Sequence, residues 1–154
     1  MSGRASVREA RSGDVNELVA LCAELGYPSS PAEVERRLPA LLSNANHLLL
    51  VGTDEEDRAV AWLHAVVRRQ LELDPFVQVA GLVVGAGHRG AGLGARLLDR
   101  AEAWALQQGI GSVYVRSNVT RERAHRFYLR AGYTLAKTSH LFVKTLPQAS
   151  GPVR

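Results

Sequence analysis

The sequence predicts a single domain of the α/β class, and three observations support this prediction. The chain has 154 residues, of which 46% are hydrophobic, enough for one sizeable core. Segments with the period of an amphipathic helix alternate with short apolar runs typical of strands. In the middle, residues 77–94 pass from an apolar run through a glycine-rich turn into a helix. This order of strand, turn and helix is the building unit of α/β folds.

The first third of the chain is predicted to contain a short strand, at residues 5–8, and two helices. Ser12 is expected to cap the first helix. Ser30 and Glu33 form a capping box at the start of the second helix, which Pro39 is expected to kink or divide. The residues predicted to face the core are Val15, Leu18, Val19, Cys22 and Leu25 in the first helix, and Val34, Leu38, Leu41 and Leu42 in the second.

The remaining elements follow from the same periodicities. Residues 47–53 and 58–67 are predicted to form a hairpin around the acidic turn DEED. A strand ending at residue 84 precedes the glycine turn, and residues 112–115 form the next strand. The helix between them is predicted to bury Leu93, Leu97, Leu98, Ala101, Trp104 and Ala105.

Two glycine patterns overlap in the central turn and imply different ligands. Gly85, Gly87 and Gly90 form G-x-G-x-x-G, which after a strand is typical of a dinucleotide site. Such a site needs an acidic residue about 20 positions later to bind a ribose hydroxyl. The next strand instead ends in Arg116 and Ser117, and one clear strand–helix–strand unit follows the glycines. A dinucleotide site and a turn without any ligand remain alternatives to the second pattern.

The second pattern, R-x-x-G-x-G, is formed by Arg89, Gly92 and Gly94. Downstream, a strand, a short helix and the sequence FYLRAGY follow in order. Over residues 76–146 these features resemble the GNAT superfamily of acyltransferases. The resemblance implies a mixed, largely antiparallel central sheet flanked by helices, the GNAT acyl-CoA N-acyltransferase fold. It also implies a terminal β-hairpin, and it implies acetyl-CoA as cosubstrate with no metal.

The resemblance further implies where acetyl-CoA binds. Backbone groups of the fourth strand pair with the pantetheine amides as if a strand were added, and the loop and helix start bind the pyrophosphate. Asn118 is expected to reach the coenzyme from the other side, or else to serve as a turn residue. The residues implied are Leu82, Val83 and Val84 in the strand, and Arg89, Gly90, Ala91, Gly92, Leu93, Gly94 and Ala95 in the loop and helix.

The activity implied is acetyl transfer from acetyl-CoA to a primary amine of a small molecule, peptide or protein. Tyr128 matches the family tyrosine that faces the thioester sulfur, and a phenol with a pKa of about 10 suits a general acid. Relatives often carry a glutamate base on the fourth strand, but residues 77–81 read VQVAG. His64 is an alternative base, and Glu72 and Asp74, in the connection before the fourth strand, are others. A water relay, or an acceptor that arrives as the free amine, would need no base from the protein. The candidate acceptor contacts are Trp62, Phe76 and Gln78. A weakly catalytic acyl-CoA sensor is the alternative function.

Charge and composition restrict the partners further. The formal net charge is +4, with arginines concentrated around the fourth helix, but no nucleic-acid module accompanies them. We therefore expect no nucleic-acid partner. The longest apolar runs are too short to span a bilayer, so no membrane partner is expected. Cys22 is the single cysteine, which favours a cytoplasmic protein without an intramolecular disulfide. A homodimer is plausible from the family resemblance.

Overall fold

The structure is a computed structural model that describes residues 5–147. The chain divides into two compact units, Met1–Arg116 and Ser117–Arg154. The first unit contains β1 (Ser6–Glu9), α1 (Val15–Leu25), α2 (Pro31–Leu42), β2 (His47–Thr53), β3 (Ala59–Gln70), β4 (Leu73–Val84), α3 (Leu93–Gln107) and β5 (Val113–Val115), and the second contains α4 (Glu122–Arg130).

The five strands form one sheet in chain order, β1-β2-β3-β4-β5. The first three pairs are antiparallel, and β4 pairs with β5 in parallel. The parallel pair is joined by α3, as a crossover between parallel strands requires. This architecture confirms the predicted mixed, largely antiparallel sheet flanked by helices. The second strand has the predicted bounds, while β3 extends to Gln70 because a two-residue turn leads directly into β4.

The start of α1 differs from the prediction. Ser12 does not cap the helix, because residues 12–14 form a short 3-10 turn and α1 begins at Val15. The buried carboxylate of Asp14 accepts a hydrogen bond of 2.9 Å from the Arg11 backbone N–H and forms an ion pair of 2.9 Å with Arg8. Burial opposes ionisation of Asp14, but these bonds outweigh it and lower the pKa of its carboxyl. The pair ties β1 to the first helix.

The second helix begins as predicted and ends differently. Ser30 and Glu33 form the capping box, with bonds of 2.9 and 3.1 Å between each side chain and the other's backbone N–H. Pro39 does not divide the helix, which continues to Leu42. Pro39 lies in the last turn, where it lacks one donor but its carbonyl still accepts a bond of 3.0 Å from the Ser43 N–H.

Apolar side chains cover both faces of the sheet. On one face, α1 and α2 pack on β2 and β3, and the buried set is Ala10, Leu18, Val34, Leu38, Leu49, Val51 and Ala59. Leu42 was predicted to belong to this side but is exposed, since it ends α2. On the other face, α3 contacts β2, β3 and β4 and buries its predicted stripe, in which Trp104 is only half-buried.

Residues 131–147 do not form the terminal hairpin implied by the family resemblance. Among the described residues after α4, no strand is formed, and the apolar side chains Leu135, Leu141, Phe142 and Val143 are exposed. The stretch between them reads AKTSH, without the glycine or asparagine that tight hairpin turns favour. Residues 148–154, which the sequence predicts to be a frayed C-terminal tail, lie outside the described part of the chain.

Candidate active site

The last two strands of the sheet, β4 and β5, separate part-way along β4. β4 pairs with β5 only from Val77 to Val79, whereas its pairing with β3 continues to Val84. Ala80 is an extra residue at this point: Val79 pairs with Ala65 and Gly81 with His64, so β4 has a bulge. Beyond Val79, the edge of β4 that faces away from β3 has no strand partner in the described structure. Its backbone donors and acceptors there are available to pair with an extended ligand.

The strand then leads into the glycine turn predicted as a phosphate cradle. Gly90 and Gly92 have φ angles of +86° and +80°, the left-handed conformation that other residues adopt only with strain. Gly92 is the N-cap of α3, and no side chain caps this end of the helix. The first N–H groups of α3 are therefore free to bind an anion, which the helix dipole also favours.

Two contacts hold the beginning of the turn. The backbone N–H of Ala86 donates a hydrogen bond of 3.0 Å to a carboxylate oxygen of Glu24 at the end of α1. The Nε–H of Arg89 donates one of 3.2 Å to the Val84 carbonyl, which folds this exposed side chain back towards the end of β4. The cradle residues from Arg89 to Gly92 are exposed, whereas the Leu93 side chain is buried under the helix. Leu93 therefore contributes its backbone, not its side chain, to the cradle surface.

Next to the separation of the strands lies a pair of histidines. His64 on β3 is directly opposite Gly81, and its Nε2 is 2.8 Å from Nδ1 of His47 on β2. The two rings are stacked with centroids 5.1 Å apart. Burial, the neighbouring His47 and the charge of Arg68 together lower the pKa of His64 to about 4. His64 is thus neutral at neutral pH and able to accept a proton.

Further along the same face of the sheet, Arg68 and Gln78 are in contact. The Nε–H of Arg68 donates a hydrogen bond of 3.3 Å to the Gln78 side-chain oxygen. Gln78 is half-buried and pairs with Tyr114 on β5, just before the strands separate. Of the three predicted acceptor contacts, Gln78 is the one whose side chain lies beside the separation and makes a polar contact there.

The other two predicted acceptor contacts pack against the protein. Phe76 is only 2% exposed and stacks on Tyr114 with centroids 4.1 Å apart. Phe76 therefore has a packing role in this structure, and its contact with the acceptor stays a prediction. Trp62 packs against the core under α1 and covers Gly81, where an added Cβ would lie 2.5 Å from its ring. Its indole nitrogen is buried without a hydrogen-bond partner in the described structure.

The second unit contains Asn118 and Tyr128. The side-chain oxygen of Asn118 accepts bonds of 3.0 and 2.9 Å from the backbone N–H and hydroxyl of Thr120, and its carbonyl is 2.8 Å from Nε2 of His125. These contacts support a turn role for its oxygen and leave its amide nitrogen for a ligand. Tyr128 is half-buried in α4, beside Phe127 and Tyr133. Burial raises the pKa of Tyr128, so its hydroxyl stays protonated at neutral pH.

Residues 5–147 contain neither a metal-binding cluster nor a membrane-spanning helix. No three His, Cys, Asp or Glu side chains lie close enough there to hold a metal ion. No helix in this part of the chain is long and apolar enough to cross a membrane.

Comparison with known proteins establishes the family. Residues 14–133 match the acetyltransferase (GNAT) family. The chain belongs to the GNAT acetyltransferases. It is 34% identical over 110 residues to the uncharacterized N-acetyltransferase YhdJ of Bacillus subtilis (strain 168), covering 71% of this chain and 75% of that relative.

Two further relatives of this GNAT protein have a substrate in their names. Blasticidin-S acetyltransferase of Streptomyces morookaense is 45% identical over 80 residues, covering 46% of this chain and 58% of the relative. Aminoalkylphosphonate N-acetyltransferase of Salmonella typhimurium is 43% identical over 70 residues, covering 45% and 44%. Among solved structures, an aminoglycoside antibiotic 6′-N-acetyltransferase of Acinetobacter baumannii has a TM-score of 0.81 at 19% identity, covering 93% of this chain and 99% of that one. This last likeness shows the fold.

Sequence reasoning missed two residues of this GNAT site, His47 and Arg68. His47 shares a face of β2 with Leu49, and the DEED turn sets the register that pairs Leu49 with His64. That register was the signal that could have placed the two histidines together. For Arg68 the signal was weaker, because β3 was predicted to end at residue 67, one residue short of it.

Proposed function

We propose that this protein transfers an acetyl group from acetyl-CoA directly to a primary amine of a small molecule. One observation carries the proposal: β4 loses its partner β5 at a bulge and then leads into a glycine turn and an uncapped helix start. Acetyl-CoA suits this arrangement, because its extended arm can lie along the unpaired edge of β4 while its pyrophosphate lies at the glycine turn and helix start. The relatives named for blasticidin S and for aminoalkylphosphonates support a small amine as acceptor.

In this proposal the chain binds acetyl-CoA largely through its backbone. The unpaired edge of β4 at Leu82, Val83 and Val84 bonds the pantetheine amides, as in strand addition. The side chains of Leu82 and Val83 are buried, which supports a role through the main chain. The N–H groups of Arg89–Ala95 bind the pyrophosphate at the start of α3. The amide nitrogen of Asn118 is proposed as a further contact.

The proposed reaction is a single displacement at the thioester carbonyl. The neutral amine nitrogen attacks the carbonyl carbon, forming a C–N bond and a tetrahedral oxyanion, for which a backbone N–H of β4 is the proposed donor. The intermediate collapses with loss of the C–S bond, so the coenzyme leaves as a thiolate. One proton must leave the amine, and one must reach the sulfur.

For the first proton we propose a relay from His64 to His47. When His64 donates its Nε2–H to Nδ1 of His47, its own Nδ1 keeps a lone pair that can accept the proton from the amine. The Nε2 proton then passes to His47. An isolated imidazole with a pKa of about 4 would be a weak base for an alkylammonium. Sharing the proton with His47 supplies the additional driving force.

For the second proton we propose Tyr128 as the general acid. Its hydroxyl is protonated at neutral pH because burial raises its pKa. A phenol can donate a hydrogen bond and then the proton to a departing thiolate. The family resemblance of the FYLRAGY segment is the support for this role.

The function is tested by incubating the protein with acetyl-CoA and a panel of primary amines while free thiol is measured. Transfer to a small amine, with the acetylated product identified by mass spectrometry, is the expected result. Tight binding of acetyl-CoA without release of thiol for any amine would instead support an acyl-CoA sensor.

The role of Tyr128 is tested by Tyr128→Phe, which removes the hydroxyl but keeps the ring. We expect kcat to fall by roughly 100-fold, within the range for loss of a general acid. The dissociation constant of acetyl-CoA should change little. Tyr27→Phe is the matched control, since Tyr27 is 72% exposed. Unchanged turnover in Tyr128→Phe would remove this residue from the mechanism.

A further inference from the structure

We propose that the acceptor amine also carries an acidic group, a carboxylate or a phosphonate, and that Arg68 binds this group with Gln78 as its support. The inference rests on the proposed function, since it names the class of amine that the site takes. It assigns Arg68 and Gln78 to an anion subsite on the face of the sheet that also carries His64.

Arg68 is held in place without being neutralised. Its Nε–H is bound to Gln78, which leaves the terminal nitrogens of the guanidinium for a ligand. Within residues 5–147 no carboxylate lies within ion-pair distance of Arg68. Arg8, Arg11, Arg37 and Arg58 each have such a partner. An oriented, exposed guanidinium with open donors is the usual binder of carboxylate and phosphonate oxygens, because its planar fork matches two of them.

The subsite lies within reach of the proposed base. Arg68 and His64 are on the same strand and four residues apart, so both side chains point to the same face. Their Cα atoms are about 13 Å apart at the usual rise of a strand, and the arginine side chain spans roughly half of that distance. The charge of Arg68 is also one of the causes that lower the pKa of His64. A ligand bridging the two therefore has its amine and its acidic group only a few bonds apart.

The charges around this face favour an acceptor with one ammonium and one acidic group over an acceptor with two ammonium groups. Around His64 and Arg68, the neighbouring polar side chains of this face are His47, Gln70, Gln78 and Tyr114, and none of them is a carboxylate. The other cation of the face, Arg8 on β1, is already paired with Asp14 and Asp57. Three carboxylates of the neighbouring elements have other partners or line another cavity. Glu24 accepts from the Ala86 N–H, and Glu33 bonds to Ser30 and Arg37. Asp74 lines a separate cavity with Arg69 and residues 108–112. A second ammonium on the acceptor would find no counter-charge here.

The test compares acceptors that differ in one group: β-alanine, aminoethylphosphonate, propylamine and diaminopropane. In the wild-type protein we expect kcat/KM to be higher for at least one of the two acidic acceptors than for propylamine, and lowest for diaminopropane. The β-alanine and aminoethylphosphonate arms distinguish a carboxylate from a phosphonate. In Arg68→Gln the preference for the acidic acceptor should fall by roughly 10-fold to 100-fold, the usual worth of a charged hydrogen bond, mainly through KM. Arg68→Lys should restore part of it.

The matched control is Arg69→Gln, which removes the same charge from the next residue of β3. Arg69 points to the opposite face and lines the cavity with Asp74, so its loss should leave the preference unchanged. An equal fall for β-alanine and propylamine in Arg68→Gln would make Arg68 a structural residue and overturn the inference. So would a wild-type preference for diaminopropane.

A binding measurement separates this inference from the proposed function. The affinities for β-alanine and aminoethylphosphonate are measured by calorimetry in the presence of coenzyme A, for wild type and Arg68→Gln. Binding of either compound that Arg68→Gln abolishes, together with no transfer to any amine, would refute the proposed function and keep the anion subsite. Equal affinities in the two proteins, or no binding of either acidic amine, would refute the subsite.

Discussion

Residue by residue, the proposed chemistry depends on the protonation of two neighbouring imidazoles. His64 lies opposite Gly81, where β4 and β5 have separated, and His47 is its hydrogen-bond partner. Because the lowered pKa of His64 is about 4, the neutral and catalytically competent form predominates above that pH. In the proposed mechanism, the base therefore lies on the third strand and not on the fourth.

This arrangement predicts how the pH profile responds to loss of His47. The proposed base acts in its neutral form, so kcat/KM should fall as the pH drops through the pKa of His64. His47→Gln removes one of the influences that lower this pKa. We therefore expect the acidic limb of the kcat/KM profile to move to higher pH and kcat to decrease. The measurement is a kcat/KM profile from about pH 3 to 8, over the range where circular dichroism shows a folded protein.

The matched control for this profile is His140→Gln, at an exposed position of the second unit. It should leave the acidic limb in place. If the acidic limb of His47→Gln also stays in place, His47 takes no part in the proton transfer. If the limb moves to lower pH, His47 does not lower the pKa of His64.

At the scale of elements, the position of α3 depends on a glycine in the neighbouring strand. A Cβ added at Gly52 on β2 would lie 2.7 Å from Cγ of Leu93, the first residue of α3. This contact fixes how close the start of the helix lies to the sheet. Since the same helix start is the proposed pyrophosphate site, packing and coenzyme binding are coupled through Leu93.

We therefore predict that Gly52→Ala destabilises the fold and weakens binding of acetyl-CoA. Overpacking of this kind costs about 1–3 kcal/mol, and displacement of the helix start should raise KM for acetyl-CoA. Thermal unfolding and initial-rate kinetics measure the two effects. Gly111→Ala is the control, because a Cβ there meets nothing within 4 Å. In the Gly52→Ala, Leu93→Ala double variant the loss should be smaller than the sum of the single losses. Strict additivity would show that the predicted clash is absent.

The elements also show what the sequence can specify locally. The Ser30–Glu33 capping box and the bounds of β2 were predicted, because each depends on residues within one turn or one strand. The position of Ser12 was misjudged, since the buried Asp14 bonds to Arg8 on β1 and determines where α1 starts. Pro39 was expected to kink or divide α2, but it lies in the last turn and the helix continues through it to Leu42. Both errors concern a feature that local sequence does not determine. A tertiary contact determines where α1 begins, and the position of Pro39 within α2 bears on whether that helix continues.

For the molecule as a whole, the order of helices and strands up to α4 was predictable. Contacts between side chains far apart in the sequence were not. The strand, glycine turn and helix of the cradle are contiguous, so the sequence sufficed for them. The bulge at Ala80 and the contact of Arg68 with Gln78 depend on strand register. Register is a property of paired strands, and a single strand does not reveal it. His64 and Gln78 were therefore predicted from the sequence, whereas their partners His47 and Arg68 are apparent only in the folded chain.

The two glycine patterns of the turn make opposite predictions about which ligand stabilises the whole protein. Gly92 belongs to the pattern assigned to coenzyme A and has a φ of +80°, where an alanine is strained. Gly87 is the middle glycine of the dinucleotide pattern. A Cβ there would meet nothing within 4 Å, and its φ is not positive. Alanine substitution at the two positions therefore distinguishes the patterns with the same chemical change in the same turn.

We predict that acetyl-CoA at 100 times its Kd raises Tm by about 5–10 °C, since saturation at this level contributes about 2.7 kcal/mol. NADP should cause no shift, because the acidic or phosphate-binding partner of a dinucleotide site is not part of the proposed cradle. The quantity compared between variants is the ligand-induced shift, which cancels any change in the Tm of the free protein. Gly92→Ala should lose most of the shift at a fixed acetyl-CoA concentration, and Gly87→Ala should retain it. The reverse order, or stabilisation by NADP, would assign the turn to a dinucleotide and remove the basis for acetyl transfer.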